Sequence, residues 1–107
     1  MLMDLFDKIE TIKVLDFLMD EWDIDFSIDD IARETDLNWK SVAEVLPKIV
    51  EMGLIKYCRS IGKEKFYKIN QNSDLFRGLK MVDLKISEII GIKVAEEELK
   101  KEIKVVA

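Results

Sequence analysis

The side chains able to carry out bond chemistry in this 107-residue sequence are few in kind. Cys58 is the single cysteine and histidine is absent. One thiol cannot close an intrachain disulfide, and without imidazole it cannot supply the several ligands of a structural zinc site. Ser/His and Cys/His nucleophile pairs are ruled out for the same reason. The glycines Gly53, Gly62, Gly78 and Gly91 are scattered and form neither a Walker A loop nor a Gly-x-Gly-x-x-Gly turn. Carboxylates are plentiful and leave oxygen ligands for a hard cation, but no acidic cluster sits in a glycine-rich loop. The expectation is a protein that is not an enzyme and that uses no cofactor and no metal.

Charge is the remaining chemistry, and it is unevenly distributed. The formal net charge is −5. Residues 1–35 hold eleven acids against Lys8, Lys13 and Arg33, which gives −8. Residues 36–70 hold four acids against Lys40, Lys48, Lys56, Arg59, Lys63, Lys65 and Lys68, which gives +3. Residues 71–107 hold seven of each sign and balance. Electrostatic attraction follows local charge more than the total, so the middle third is where a polyanion would dock.

The elements that must present these groups follow from periodicity. Ile9, Ile12, Leu15, Leu18, Met19 and Trp22 recur at spacings of three and four, the stripe of an amphipathic first helix. Leu2, Leu5 and Phe6 extend it or form a separate turn. Ser27 opens a second helix with Asp30 three residues on, a capping box in which Asp replaces Glu. Ile28, Ile31 and Ala32 form its apolar face, and Thr35-Asp36-Leu37 is a polar turn. Asn38 caps a third helix that runs to Met52 and stops at Gly53. Its expected buried face is Trp39, Val42, Ala43, Leu46, Ile49 and Val50, and Pro47 within it removes one hydrogen bond to the Ala43 carbonyl.

Leu54–Ser60 and Lys65–Asn70 read as strands joined at Ile61-Gly62-Lys63-Glu64 in a hairpin. Ser73 caps a long helix to about Ile90, where Gly91 is expected to stop it. Leu75, Leu79, Val82, Ile86 and Ile89 make a heptad seam along that helix. In the tail, Glu96–Lys100 and Glu97–Lys101 at i,i+4 predict a further helical turn or two. The fold class is therefore mainly α with a small β-hairpin. Residues 1–72 are expected to form one domain and residues 73–107 a C-terminal helical extension. The acidic start predicts no signal peptide, and no apolar run approaches the roughly 20 residues of a membrane span, so a soluble, cytoplasmic protein is expected.

Helix, short polar helix, tight turn, capped helix, Gly-Leu-Ile and basic hairpin resemble, in that order, the winged helix-turn-helix domain of ArsR/MarR-type transcriptional regulators. The likeness is carried by Ser27-Ile28-Asp29-Asp30-Ile31-Ala32-Arg33-Glu34-Thr35, Val42 to Met52, Gly53-Leu54-Ile55, Arg59-Ser60-Ile61-Gly62-Lys63 and Phe66-Tyr67-Lys68-Ile69, over roughly residues 9–72. The Cys/His pattern of metal-sensing relatives is missing. The resemblance implies that the Asn38–Met52 helix enters the major groove of duplex DNA, with Asn38, Lys40 and Ser41 against base edges. It implies further that Lys48, Arg59, Lys63 and Lys65 meet phosphates.

Several residues have a plainer reading beside the functional one. Lys63 and Lys65 would serve equally as a solvated hairpin tip, but they lie in the one basic third of the chain, which favours phosphate contact. For Glu44 repulsion of phosphate outweighs cytosine recognition, and for Trp39 core packing outweighs stacking at a DNA surface. Cys58 reads as a small strand residue rather than a redox sensor. The seam Leu75, Leu79, Val82, Ile86 and Ile89 exceeds what a small core needs and is assigned to a homodimer interface. Two functions follow: a dimeric regulator binding duplex DNA, or a winged-helix module for protein–protein interaction within a larger assembly. The overall acidity favours the second and the basic hairpin the first.

Overall fold

The computed structural model describes the backbone of residues 6–106 and the side chains of residues 6–93. In chain order the elements are α1 (Ile9–Asp20), β1 (Phe26–Ser27), α2 (Ile28–Thr35), α3 (Trp39–Glu51), β2 (Ile55–Ile61), β3 (Glu64–Ile69) and α4 (Asp74–Val106). Contacts divide the chain into two units, up to Phe76 and from Arg77 onward. Leu2 and Leu5 lie outside the described residues.

Local chemistry sets the helix boundaries. Ser27 Oγ accepts from the Asp30 N–H at 3.2 Å, and the Ser27 N–H donates back to Asp30 Oδ2 at 3.2 Å. This reciprocal box satisfies two backbone donors that the helix cannot satisfy itself. The α2 helix ends with Asp36 in the left-handed region at φ 58, and the Leu37 N–H reaches the Ala32 carbonyl at 3.0 Å. Asn38 Oδ1 accepts from the Ser41 N–H at 2.7 Å and opens α3. Gly53, at φ +79, follows its C-cap and turns the chain into β2. The hairpin turns at Gly62, φ +61, with no positive φ at Lys63, which fits a type II′ connection.

The sheet has three strands in the order β1-β3-β2, all antiparallel. The hairpin was expected; β1 was not, because Phe26–Ser27 is too short to show a period. It pairs Phe26 with Tyr67 and Ser27 with Phe66, tying the start of α2 to the hairpin. Val14, Leu15 and Leu18 from α1 and Ile31 from α2 meet Val42, Val45, Leu46 and Ile49 from α3 in the core. Leu54, Ile55, Ile69 and Phe76 complete it. The Ser73 hydroxyl caps the last helix on the Phe76 N–H at 3.1 Å.

Three sequence expectations are corrected. The α1 face is rotated: Thr11 and Val14 are buried, whereas Ile9 and Ile12 are exposed. On α3 the buried stripe is centred on Val42, Val45, Leu46 and Ile49, which leaves Trp39 56% exposed and Val50 at the surface. Trp39 is the first residue of the helix and lies on the flank of the stripe rather than at its centre. Lastly, α4 runs through Gly91 without a break, and Gly91 lacks the positive φ that a glycine stop requires. A single glycine among strong helix formers costs only about 1 kcal/mol, too little to end so long a helix.

Candidate nucleic-acid interface

Every residue is 100° further round a helix than the last, which sorts the surface of α3 into three lanes. Lys40, Glu44, Pro47 and Glu51 lie furthest from the buried stripe. Ser41 and Lys48 lie on the flank toward α1; Ser41 lines a cleft of about 270 Å³ with Lys8, Glu10, Glu44 and Val45. Trp39, Ala43 and Val50 lie on the flank toward the hairpin. Asn38, Lys40 and Ser41 are therefore brought together at the start of α3 but do not share one direction. The Asn38 side-chain oxygen is occupied by the Ser41 N–H, which leaves its amide nitrogen available for donation.

The four cations expected on phosphate divide into two pairs. Lys48 Nζ donates to Asp7 Oδ1 at 3.1 Å. Arg59 Nε donates to Asp25 Oδ2 at 2.7 Å, and its terminal nitrogen reaches Oδ1 at 3.3 Å. The Arg59 guanidinium also lies 4.8 Å from the centre of the Phe66 ring, a cation–π contact. Lys63 and Lys65 are exposed at the hairpin turn and form no salt bridge among the described residues.

Cys58 explains why Arg59 and Lys65 part company. The register of β2 against β3 slips between Tyr57 and Arg59, so Tyr57 opposes Tyr67 while Arg59 opposes Phe66. Side chains alternate faces along β3, so residues paired with Tyr67 and Phe66 stand on opposite faces. The extra residue of this bulge is Cys58, exposed and 4.0 Å from the Lys56 carbonyl. In an unbroken ladder Cys58 would oppose Phe66 and Arg59 would oppose Lys65. With the bulge Arg59 turns to Phe66 and Asp25.

The face that keeps Lys65 also carries Tyr57 and Tyr67, whose rings meet edge-on at 6.4 Å. The Tyr57 hydroxyl shares a 2.6 Å hydrogen bond with Ser60 Oγ. Between these rings and α3 lies a mainly apolar groove of about 420 Å³ lined by Pro47, Val50, Glu51, Tyr57, Lys65 and Tyr67. None of this groove was anticipated; the alternation of Tyr with Lys along both strands was the one available signal.

Acids surround the hairpin on its other side. The hydrogen bond from Arg59 is the main reason the Asp25 carboxyl is held below the usual aspartate value, and Asp25 in turn raises the affinity of Arg59 for its proton. Asp30 is lowered as well, first by the Ser27 backbone N–H. Glu64, at the hairpin turn, is raised above the usual glutamate value, chiefly by a hydrogen bond with the Asp29 carboxyl. Among the described residues no group of Cys, Asp or Glu is arranged to hold a metal ion. Nor is any described helix long and apolar enough to cross a membrane.

A capped helix, a tight turn, a second capped helix and a two-stranded wing define the winged helix-turn-helix fold, here with an added C-terminal helix. Solved structures share it. The homodimeric winged helix-turn-helix DNA-binding domain of a possible ArsR-family transcriptional regulator from Mycobacterium bovis is 22% identical, with a TM-score of 0.60, over 76% of this chain and 70% of that one. The antimony-specific transcriptional repressor AntR is 16% identical, TM-score 0.62, over 83% and 74%. ZitR from Lactococcus lactis, in apo form, is 17% identical, TM-score 0.54, over 94% and 83%. No protein-family model matches the chain, and no curated protein matches it.

Proposed function

We propose that the chain is a duplex-DNA-binding transcription regulator, with α3 in the major groove and the hairpin turn on the phosphate backbone. The observation that carries this reading is the pairing of a projecting, capped α3 bearing Lys40 with a hairpin turn whose Lys63 and Lys65 have no acid partner among the described residues. A long amine on a projecting turn reaches a phosphate while staying partly solvated. The structural neighbours described as transcriptional regulators and repressors support the same reading. The test is a binding titration at several salt concentrations on a preferred and a scrambled duplex. Binding that falls steeply with salt on both, and remains tighter on the preferred site, is expected; salt-independent or absent binding overturns the proposal.

The regulator acts as a homodimer through α4. Leu75, Val82, Ile86 and Ile89 are 43%, 55%, 51% and 46% exposed, and Leu79 is half-buried. Their spacing of four and three suits a second copy of the same helix. Two domains would then address half-sites about one helical turn, ~34 Å, apart. The second reading, a protein-interaction module, draws on the two ion pairs that tie acids of the first third to Lys48 and Arg59. Those pairs reduce the charge offered to a polyanion, and failure of the duplex titration would favour that reading.

A further inference from the structure

We propose that Trp39 determines sequence specificity by packing on a thymine C5-methyl group. The inference rests on the DNA-binding reading above and adds to it a mode of readout that hydrogen-bonding residues do not supply.

Hydrogen bonding at the start of α3 covers only part of what a base edge offers. Bidentate recognition of adenine by asparagine needs both the oxygen and the nitrogen of the amide, and the 2.7 Å cap on the Ser41 N–H takes one lone pair of Asn38 Oδ1 and fixes the orientation of the amide. Ser41 faces the cleft toward α1. Lys40 only donates, which suits guanine N7 and O6 but not the thymine methyl, and Glu44 beside it repels phosphate.

Trp39 is the first residue of the same helix, and 56% of its surface is left in water. Ala43 and Val50, four and eleven residues on, continue its flank, and Pro47 and Val50 form the helix wall of the groove closed by Tyr57 and Tyr67. The result is an apolar lane between the two elements assigned to DNA. Lys40 stands at its base-reading end and Lys65 at its backbone end. Only thymine offers a methyl group in the major groove, so an apolar side chain there distinguishes thymine from cytosine and purines. The pairing of Lys48 and Arg59 with acids leaves a larger share of recognition to such contacts.

The test selects a preferred duplex from a random-sequence pool and replaces each thymine by deoxyuridine, which removes only the methyl. Wild-type protein should lose roughly fourfold in affinity for each methyl packed on Trp39, at one or two positions per half-site. Trp39→Ala should bind every sequence more weakly and be indifferent to the same replacements. Because Trp39 is exposed, its circular dichroism should match wild type. In a Trp22→Phe background, Trp39 emission should shift to the blue on adding the preferred duplex. Salt-sensitive binding that ignores thymine methylation at every position, or a Trp39→Ala variant that still discriminates, overturns this inference and leaves the DNA reading standing. Absence of duplex binding by wild type overturns both.

Discussion

Arg59 and Asp25, 34 residues apart, are joined through two hydrogen bonds of 2.7 and 3.3 Å, so a cation of the hairpin is held by an acid from the connection before β1. A phosphate seeking Arg59 has to displace a carboxylate already positioned on it. Asp25→Asn removes the competing charge. It should raise affinity for all duplexes and steepen the slope of log K against log salt by up to ~0.9 per protomer. Titrations of both proteins at four or more salt concentrations measure this; an unchanged slope means that Arg59 contacts no phosphate.

Lys63 and Lys65 have no such competitor among the described residues. Replacing both with alanine should weaken binding to preferred and scrambled duplexes alike and flatten the salt slope by up to ~2 units per protomer. Lys48→Ala should flatten it less, because Lys48 already shares its charge with Asp7 at 3.1 Å. Equal slopes for the double variant and wild type would remove the hairpin turn from the interface.

Asp25 and Glu64 impose opposite pH dependences on stability. The native state binds the Asp25 proton less tightly than the unfolded chain because Arg59 donates to the carboxylate. That stabilisation is present above the ordinary aspartate value of about 3.9 and is lost as pH falls through the lowered one. Glu64 is raised, first by its hydrogen bond with Asp29, then by partial loss of solvent and by repulsion from Asp29 and Asp30. Its favourable contribution is present below the ordinary glutamate value of about 4.3 and is lost as pH rises through the raised one. Glu64→Gln should therefore gain stability relative to wild type as pH rises from 4 to 7. Urea midpoints across that range test it, and a difference constant with pH contradicts the assignment.

The exposed seam of α4 gives a test of assembly. Replacing Leu79 and Ile86 together with Asp should yield monomers that retain the fold of residues up to Phe76, because charges facing each other across a helix pair cannot be desolvated. Sedimentation of wild type as a monomer at high micromolar concentration would rule out this dimer.

Ser27 is 3% exposed, and its hydroxyl and amide both take part in the box with Asp30. Ser27→Ala should cost about 1 kcal/mol of folding free energy, measured by urea denaturation. Ser27→Asp, which keeps an acceptor but crowds a buried position beside Asp30, should recover little of it.

Features closed within four residues were legible in the amino-acid pattern. The Ser27–Asp30 box, the caps at Asn38 and Ser73, and the turns at Gly53 and Gly62 each depend on a side chain or a φ angle acting on its immediate neighbours. The order of those signals was enough to specify a winged helix. Long-range pairings were not legible: Asp7 lies 41 residues from Lys48 and Asp25 lies 34 from Arg59, and no local rule links them. The two-residue strand β1 exists only because β3 offers it a partner. Which positions of α3 are covered depends on what packs against each flank, and Trp39 is 56% exposed although its helical position is apolar. The face chosen by Arg59 rests on a single extra residue at Cys58, since one step of register reverses every side chain beyond it. Helices and turns answer to local spacing, whereas the electrostatics and the apolar lane of the interface depend on which distant segments the packing brings together.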